Sequence, residues 1–219
     1  MIKKNRLILA LDVTERVGAK KLVKLLSDYL DAVKINYPLA LSASAKIIGE
    51  IAEFNPVIAD FKIADIPYTS SLIAEIAFKA GASGVIVHGF AGSDTVRAVV
   101  KVAEKYRGDV YLVSELSSEG GIEFLNPVSD KIVKMAEETG CTGIVAPATR
   151  PERIAHFRKI SKKLTIISPG VGAQGGNLED VFKAGADYVI VGRSVYGSQN
   201  PEVVVKEYVN RIEQILKTL

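Results

Sequence analysis

The chain has 219 residues, of which 48% are hydrophobic and 24% charged, and its formal net charge is +3. These values are ordinary for a globular protein, the length suits one α/β barrel, and the weak charge gives no indication of nucleic-acid binding. A single cysteine, Cys141, excludes a disulfide framework or a zinc cluster within the chain and is interpreted as a small packing residue.

The sequence gives no indication of a membrane partner. No apolar run approaches the length of about 18 residues that a membrane-spanning helix needs. Residues 1–5 lead directly into a predicted strand and lack the apolar core of a signal peptide. We therefore expect a cytoplasmic location.

Short β-rich segments alternate with amphipathic segments along the whole chain. Eight predicted strands are continuous apolar runs, as expected for a parallel sheet that is covered on both faces. They lie at residues 7–11, 32–35, 57–61, 84–88, 110–114, 143–146, 165–168 and 188–191. Apolar residues at helical spacing predict helices at 19–29, 42–54, 70–80, 95–105, 130–139, 150–160, 178–184 and 201–216.

The order of these elements predicts the fold. Eight βα units, about 27 residues each, are typical of a (β/α)8 TIM barrel, and we expect one catalytic domain over residues 1–219. Pro151 and Pro201 suit first-turn helix positions, and Gly81 suits a helix C-cap. An open doubly wound sheet is the main alternative, but no Gly-x-Gly-x-x-Gly follows the first strand.

Three charged residues, Asp60, Lys62 and Asp65, interrupt the third apolar run and its continuation. Alternate residues of a strand point to the same side, so Asp60 and Lys62 share a face, and Asp65 lies just past the strand end. Burying such charges costs several kcal/mol per ion unless they are paired. Barrels keep their chemistry at the carboxyl ends of the strands, so the cluster predicts an active site. A structural ion-pair network is the alternative.

Charged residues also end the first two predicted strands. Asp12 follows strand 1 and Lys34 lies at the end of strand 2, and their charges alternate in sign with those of the strand 3 cluster. Five charges on three adjacent strands could form one network. Such a network would keep Lys62 protonated and would place carboxylates against a substrate.

The segments after strands 7 and 8 predict a phosphate site. Ser168-Pro169-Gly170-Val171-Gly172-Ala173-Gln174-Gly175-Gly176 has four glycines, whose N–H groups can approach an anion closely, and it is long enough to act as a lid. Gly192-Arg193-Ser194 adds further N–H groups and a guanidinium. Barrels often bind phosphate at these two loops. Flexible turns and a surface arginine are the alternative.

The remaining titratable residues give weaker indications. His88 either lines the pocket or, as we favour, hydrogen-bonds to a backbone carbonyl, and His156 is expected at the surface of a helix. Glu115 and Glu119 could be metal ligands, but nothing pairs them at a suitable spacing. No metal site is therefore predicted.

Several of these motifs together resemble one family. Asp60-x-Lys62-x-x-Asp65-Ile66-Pro67-x-Thr69 resembles the signature of the orotidine 5′-monophosphate decarboxylases. The chain is similar to short, archaeal-type members of this family. The resemblance continues in chain order through Leu9-Ala10-Leu11-Asp12, Val33-Lys34-Ile35, Val87-His88-Gly89, Ala148-Thr149-Arg150-Pro151, the glycine-rich segment and Gly192-Arg193-Ser194. At Asn36 glycine would be expected, a departure that affects only the local backbone.

The resemblance implies a reaction and a role for each matched residue. The reaction is decarboxylation of orotidine 5′-monophosphate to uridine 5′-monophosphate, without a cofactor or a metal. Lys62 would protonate C6 of the pyrimidine, and Asp60 would lie against the substrate carboxylate. Asp65 and Thr69 would reach the partner's active site in a homodimer. Substrate binding would fall to Asp12 and Lys34 on the ribose, Ser117 on the pyrimidine, and Pro169, Gln174, Gly192 and Arg193 around the phosphate.

Two other functions remain open from the residues. A 3-hexulose-6-phosphate synthase or a 3-keto-L-gulonate-6-phosphate decarboxylase would share the Asp-x-Lys-x-x-Asp motif and would use Mg²⁺ to stabilise an enediolate. The continuation Ile66-Pro67-x-Thr69 and the position of Gln174 argue against these activities. A non-catalytic nucleotide-binding protein, such as a UMP sensor, would not need a buried lysine between carboxylates.

Overall fold

Eight parallel strands close into a barrel in sequence order, with the last strand paired to the first. The computed structural model describes residues 3–219, so residues 1 and 2 of the predicted domain and of the segment 1–5 lie outside the described residues. The strands are β1 (Leu7–Ala10), β2 (Ala32–Asn36), β3 (Val57–Ile63), β4 (Gly84–His88), β5 (Asp109–Val113), β6 (Gly143–Val145), β7 (Thr165–Pro169) and β8 (Tyr188–Val191). The predicted (β/α)8 TIM barrel is confirmed.

Helices connect the strands and surround the barrel. They are α1 (Arg16–Leu26), α2 (Tyr37–Ala43), α3 (Lys46–Ala52), α4 (Pro67–Lys79), α5 (Ser93–Tyr106), α6 (Gly121–Phe124), α7 (Ser129–Glu138), α8 (Pro151–Ile160), α9 (Leu178–Lys183), α10 (Arg193–Tyr196) and α11 (Pro201–Thr218). None of the helices within residues 3–219 combines the length and the apolarity that crossing a membrane requires.

The barrel forms because its strands are apolar on both faces. All four residues of β1 are buried, and so are all four residues of β8, the strand that pairs with β1 to close the barrel. Tyr111 and Tyr188 are among the largest fully buried side chains. Inward-pointing side chains fill the centre of such a barrel and outward-pointing ones pack against the helices. The functional residues are therefore confined to the strand ends and loops.

The predicted helix signals act as expected. Pro151 and Pro201 occupy the first turns of α8 and α11, where a missing N–H costs no hydrogen bond. Gly81 follows α4 with a φ of +106°, a conformation that glycine adopts without steric cost. Asn177 caps α9 by accepting a hydrogen bond from Glu179 N at 2.8 Å.

One predicted helix is wrong. The segment 42–54 forms no single helix, because Ser44 has φ 63° and ψ 165° and separates α2 from α3. A helix cannot continue through a residue with positive φ. The other bounds shift by up to three residues, and the shift matters at β3, which continues to Ile63 and so contains Lys62.

Replacing Ser44 with glycine should stabilise the protein. Its backbone lies in a region that is essentially restricted to glycine, and relief of that strain should add about 1 kcal/mol. The thermal midpoint at one fixed protein concentration measures the effect. Ser42→Gly, inside helix α2, is the matched control and should lose about 0.5–1 kcal/mol. Equal losses for both variants would contradict strain at Ser44.

Candidate active site

A cavity of about 200 Å³ lies at the carboxyl ends of the barrel strands. Seven strands contribute residues at or near their carboxyl ends or from the loops that follow them. From β4 the contributing residue is Ile86, in the middle of the strand. Nine predicted site residues line this cavity: Asp12, Lys34, Asp60, Lys62, Ser117, Pro169, Gln174, Gly192 and Arg193. The structure therefore brings Asp60 and Lys62 of the strand 3 cluster into one site with the predicted phosphate loops.

Asp60 is the centre of the charged cluster in this cavity. Lys34 Nζ donates to Asp60 Oδ2 at 2.8 Å, and Lys62 Nζ lies 2.9 Å from both carboxylate oxygens. Lys34 Nζ also lies 3.6 Å from Asp12 Oδ1. Asp12, Lys34, Asp60 and Lys62 thus form a row of side chains whose charges alternate in sign, as the sequence predicted for these four residues.

Burial makes this cluster electrostatically strong. The side chains of Asp60 and Lys34 are only 5% and 7% exposed, whereas that of Lys62 is 32% exposed. Burial opposes the charged form of Asp60, but the attraction of Lys34 and Lys62 outweighs it and lowers the pKa of Asp60. Burial likewise opposes the charged form of Lys34, and attraction to Asp60 and Asp12 raises its pKa. Both groups are therefore ionised at neutral pH.

Lys62 adopts a strained backbone conformation. Its φ is +39°, which is unfavourable for a residue with a side chain and costs on the order of 1–3 kcal/mol. The pairing of β3 with β4 shifts register between Ala59 and Ile63, so the strain coincides with an irregularity in the ladder. Such irregularities redirect side chains next to active sites. Lys62 thereby reaches the cavity and the carboxylate of Asp60.

A second buried charged group lies behind the loop after β5. Glu115 is fully buried, and Arg153 Nε donates to its Oε1 at 2.7 Å. Arg150 Nε lies 3.7 Å from Glu115 Oε2, close enough for an ion pair but too far for a hydrogen bond. Both arginines therefore pair with Glu115 within the chain. Among residues 3–219, no three His, Cys, Asp or Glu side chains are grouped as a metal ion would require.

The same arginine fixes the loop that carries Ser117. Arg150 donates to the carbonyl oxygens of Leu116 and Ser118, and Thr149 Oγ1 donates to the carbonyl of Ser117 at 3.0 Å. Three successive carbonyls are thus held from the β6 side. We did not predict these contacts. A glutamate at the end of strand 5 and an arginine just before α8 were the available signals.

The glycine-rich loop after β7 is folded back on itself. Gly176 N donates to the carbonyl of Gly170 at 2.9 Å, and Gly170 has a φ of +112°. A Cβ on Gly176 would lie 2.7 Å from that carbonyl oxygen, so glycine is required for this close approach. Gln174 and Arg193 are exposed at the cavity mouth. Their polar groups can therefore contact a ligand there.

Asp65 and Thr69 lie outside the cavity. Ser70 Oγ and Thr95 Oγ1 both donate to the Asp65 carbonyl, at 2.9 and 2.8 Å, which fixes the backbone while the Asp65 side chain stays exposed. The predicted five-charge network therefore has four members within one chain, and Asp65 is not one of them. Next to Asp65 and Thr69 lies an exposed apolar surface formed by Ile66, Tyr68, Leu72 and Ile76.

Three other residues resolve questions from the sequence. Asn36 has φ −109°, so its position does not need glycine, and its Oδ1 accepts from Tyr37 N at 2.7 Å to cap α2. His88 does not make the expected hydrogen bond through Nδ1, which is buried and has no hydrogen-bond partner among residues 3–219. His156 is partly exposed at the surface, as predicted, and lies 2.9 Å from Asp130 Oδ1.

The fold and the cavity define a class of protein. A closed (β/α)8 barrel with buried, paired charges at the carboxyl ends of its strands is a barrel enzyme. Residues 5–208 match the family described as "Orotidine 5'-phosphate decarboxylase / HUMPS family". The chain therefore belongs to this family, and the predicted family resemblance is confirmed.

Individual relatives match over nearly the whole chain. The chain is 55% identical to the orotidine 5′-phosphate decarboxylase of Methanococcoides burtonii, over 94% of this chain and 97% of that protein. It is 53% identical to the enzyme of the same name from Methanosarcina mazei, over 99% of each chain. The crystal structure of the Methanocaldococcus jannaschii orotidine 5′-monophosphate decarboxylase with the inhibitor BMP has a TM-score of 0.90, with 48% identity over 94% of this chain and 97% of that one.

The pKa of the Asp60 carboxyl should lie below the ordinary aspartate value of about 3.9. Because this pKa is lowered in the folded state, the ionised carboxylate stabilises the fold at pH values above the ordinary pKa. This stabilisation is lost as the pH falls through the folded-state pKa of Asp60. Carboxyl carbon NMR measures the titration. Lys34→Met should raise the pKa of Asp60, whereas Lys131→Met, on the exposed face of α7, should not. An unchanged Asp60 titration in Lys34→Met would contradict the pairing.

Proposed function

We propose that this protein decarboxylates orotidine 5′-monophosphate to uridine 5′-monophosphate and CO₂, the last step of de novo pyrimidine synthesis, with Lys62 as the proton donor. The observation that carries the proposal is the placement of Lys62. Its ammonium lies in the cavity, partly accessible, and is held against the buried Asp60 carboxylate. The names of the relatives support the same substrate.

The reaction requires a fixed cation beside the reacting carbon. Loss of CO₂ breaks the bond from C6 to the carboxylate and leaves the electron pair on C6, in an orbital that cannot delocalise into the ring. A preorganised ammonium stabilises that developing charge. It can then donate its proton to C6 and become a neutral amine. Lys62 is the accessible ammonium of the cluster, and this chemistry needs neither a cofactor nor a metal.

Asp60 has two roles in this proposal. It orients Lys62 through the contacts at 2.9 Å. It would also lie against the substrate carboxylate beside C6. A second carboxylate there would be repelled in the bound substrate and released as CO₂, a form of ground-state destabilisation. Lys34 keeps Asp60 ionised even when Lys62 moves toward C6.

The rest of the substrate supplies binding energy. Asp12 and Lys34 would bind the ribose hydroxyls, and Ser117 the pyrimidine edge, since all three line the cavity near the cluster. At the cavity mouth, Gln174 and Arg193 would bind the phosphate, aided by backbone at Pro169 and Gly192. Binding energy from such remote groups accelerates the reaction when it is realised only in the transition state. Closure of the exposed loop after β7 would provide that coupling.

A magnesium-dependent activity is the second candidate, because the name of the matched family also includes HUMPS. The orotidine 5′-phosphate decarboxylases among the relatives favour the first candidate. Sensitivity to EDTA separates the two. A synthase or decarboxylase that uses Mg²⁺ to stabilise an enediolate would lose activity, whereas the proposed reaction would not.

The position of Asp65, which is exposed, and of Thr69, which is half-buried, outside the cavity supports a shared site in a homodimer. Tyr68, Leu72 and Ile76 follow at i+4 spacing, are 73%, 47% and 56% exposed, and give α4 an apolar outer face. Such a surface is typical of an interface. In an isologous dimer it would carry Asp65 and Thr69 toward the partner's cavity.

We further propose one catalytic domain over residues 1–219, acting in the cytoplasm.

The first test of the proposal removes Lys62. Wild-type protein should consume orotidine 5′-monophosphate, measured by its absorbance loss, at a rate that EDTA leaves unchanged. Lys62→Ala should lower kcat at least about 1,000-fold, because both the cation and the proton donor are lost. Lys131→Ala, on the exposed face of α7, should match wild type. If Lys62→Ala keeps a tenth of the wild-type kcat, Lys62 is not the proton donor.

The shared site is tested by mixing two inactive variants, Lys62→Ala and Asp65→Asn, under conditions that exchange subunits. In a mixed dimer one site receives both defects and the other receives neither. Half of randomly paired dimers are mixed, so activity should rise toward roughly a quarter of wild type. Native mass spectrometry verifies the exchange. Activity that stays at the parental level despite exchange would mean that Asp65 acts within its own subunit.

A further inference from the structure

The backbone before Lys62 leaves the regular ladder of β3. Asp60 still pairs with Asn36 of β2, but the register against β4 shifts between Ala59 and Ile63. Lys62 then has its φ of +39°. An unfavourable backbone conformation persists only where the surrounding structure over-determines it. Something must therefore hold the peptide between Phe61 and Lys62.

Tyr37 makes two contacts with this peptide. Its hydroxyl donates a hydrogen bond to the carbonyl oxygen of Phe61, the carbonyl that immediately precedes Lys62 N. Its ring stacks on the Phe61 ring, with centroids 5.6 Å apart and an interplanar angle of 17°. Both contacts act on the residue next to Lys62. Tyr37 is not among the residues that line the cavity.

Tyr37 is itself held in place by the neighbouring strand. It is the first residue of α2 and directly follows Asn36, whose Oδ1 accepts a hydrogen bond from Tyr37 N at 2.7 Å. The pairing of Asn36 with Asp60 then sets Tyr37 beside Phe61. A short path of fixed contacts thus leads from the end of β2 to the peptide before Lys62.

We propose that Tyr37 is a positioning residue, whose hydroxyl holds the Phe61 carbonyl and thereby keeps the Lys62 ammonium aimed at the reacting carbon. The inference rests on the proposed function of Lys62 as proton donor. Tyr37 does not line the cavity, so it would act on Lys62 through the backbone. Displacement of a catalytic group by about 1 Å can lower a rate about 100-fold, so loss of one such contact is sufficient for a measurable effect.

Tyr37→Phe is the direct test, since it keeps the stacked ring and removes only the hydroxyl. The side chain is 45% exposed, so the variant keeps a folded barrel. We expect kcat for orotidine 5′-monophosphate to fall about 10- to 100-fold, while KM and the affinity for uridine 5′-monophosphate stay unchanged. Tyr106→Phe is the matched control, because its hydroxyl bonds to Glu75 on the helical surface, at 3.2 Å. This control should leave all three quantities unchanged.

A second measurement does not depend on activity. If the Phe61 carbonyl is released, Lys62 is held less firmly against Asp60, and weaker pairing raises the pKa of the Asp60 carboxyl. Carboxyl carbon NMR should therefore show a higher Asp60 pKa in Tyr37→Phe than in wild type or Tyr106→Phe. This readout tests the positioning of Lys62 even if the protein acts on another substrate.

The outcomes separate the two proposals. If wild type does not consume orotidine 5′-monophosphate, the proposed function is wrong. The Asp60 titration alone then tests the positioning role of Tyr37. If wild type is active but Tyr37→Phe has unchanged kcat or an unchanged Asp60 pKa, the positioning role is overturned. A variant that loses kcat and ligand affinity to the same extent would also overturn it, because that pattern indicates general damage to the site.

Discussion

The structure of the cavity depends on one buried carboxylate held between two ammonium groups. Asp60 is nearly inaccessible, and without it the buried Lys34 would keep only its longer contact with Asp12. Breaking such a pair typically costs about 3–5 kcal/mol. The cluster also needs β1, β2 and β3 in fixed register, since its members lie on β2, on β3 and just after β1. The same contacts that stabilise these charges therefore set their geometry for chemistry.

The two ends of the barrel use charged residues differently. At the amino ends of the strands, Asp31 accepts backbone N–H groups from Lys4, Asn5 and Arg6, and Asp187 pairs with Arg158 at 2.6 Å. These carboxylates bind groups of the fold itself. At the carboxyl ends, Lys62 remains partly accessible and strained. This division agrees with the general separation of stability and function in such barrels.

The sequence predicted the barrel and most of the cavity because both depend on local patterns. Continuous apolar runs specify buried parallel strands, and the rule that strand ends converge then assembles Asp12, Lys34, Asp60 and Lys62. The break at Ser44 was missed because neither glycine nor proline marks it. The pairing of Glu115 with Arg150 and Arg153 was missed because these residues meet only where the loop after β5 contacts the beginning of α8. Contacts between distant segments leave no periodic signal in a single sequence.

Pairing of β8 with β1 closes the barrel, so it also determines when the cavity can form during synthesis. The cavity draws Asp12 from the start of the chain and Arg193 from near its end, and they meet only once β8 pairs with β1. Pairing of strands so far apart in sequence is slow, because the entropy of loop closure is lost before the stabilising contacts form. A nascent chain on the ribosome therefore carries the charges of β1, β2 and β3 before any closed barrel can bury them. The complete cavity can consequently form only after β8 has been synthesised, and its formation would mark the last stage of folding.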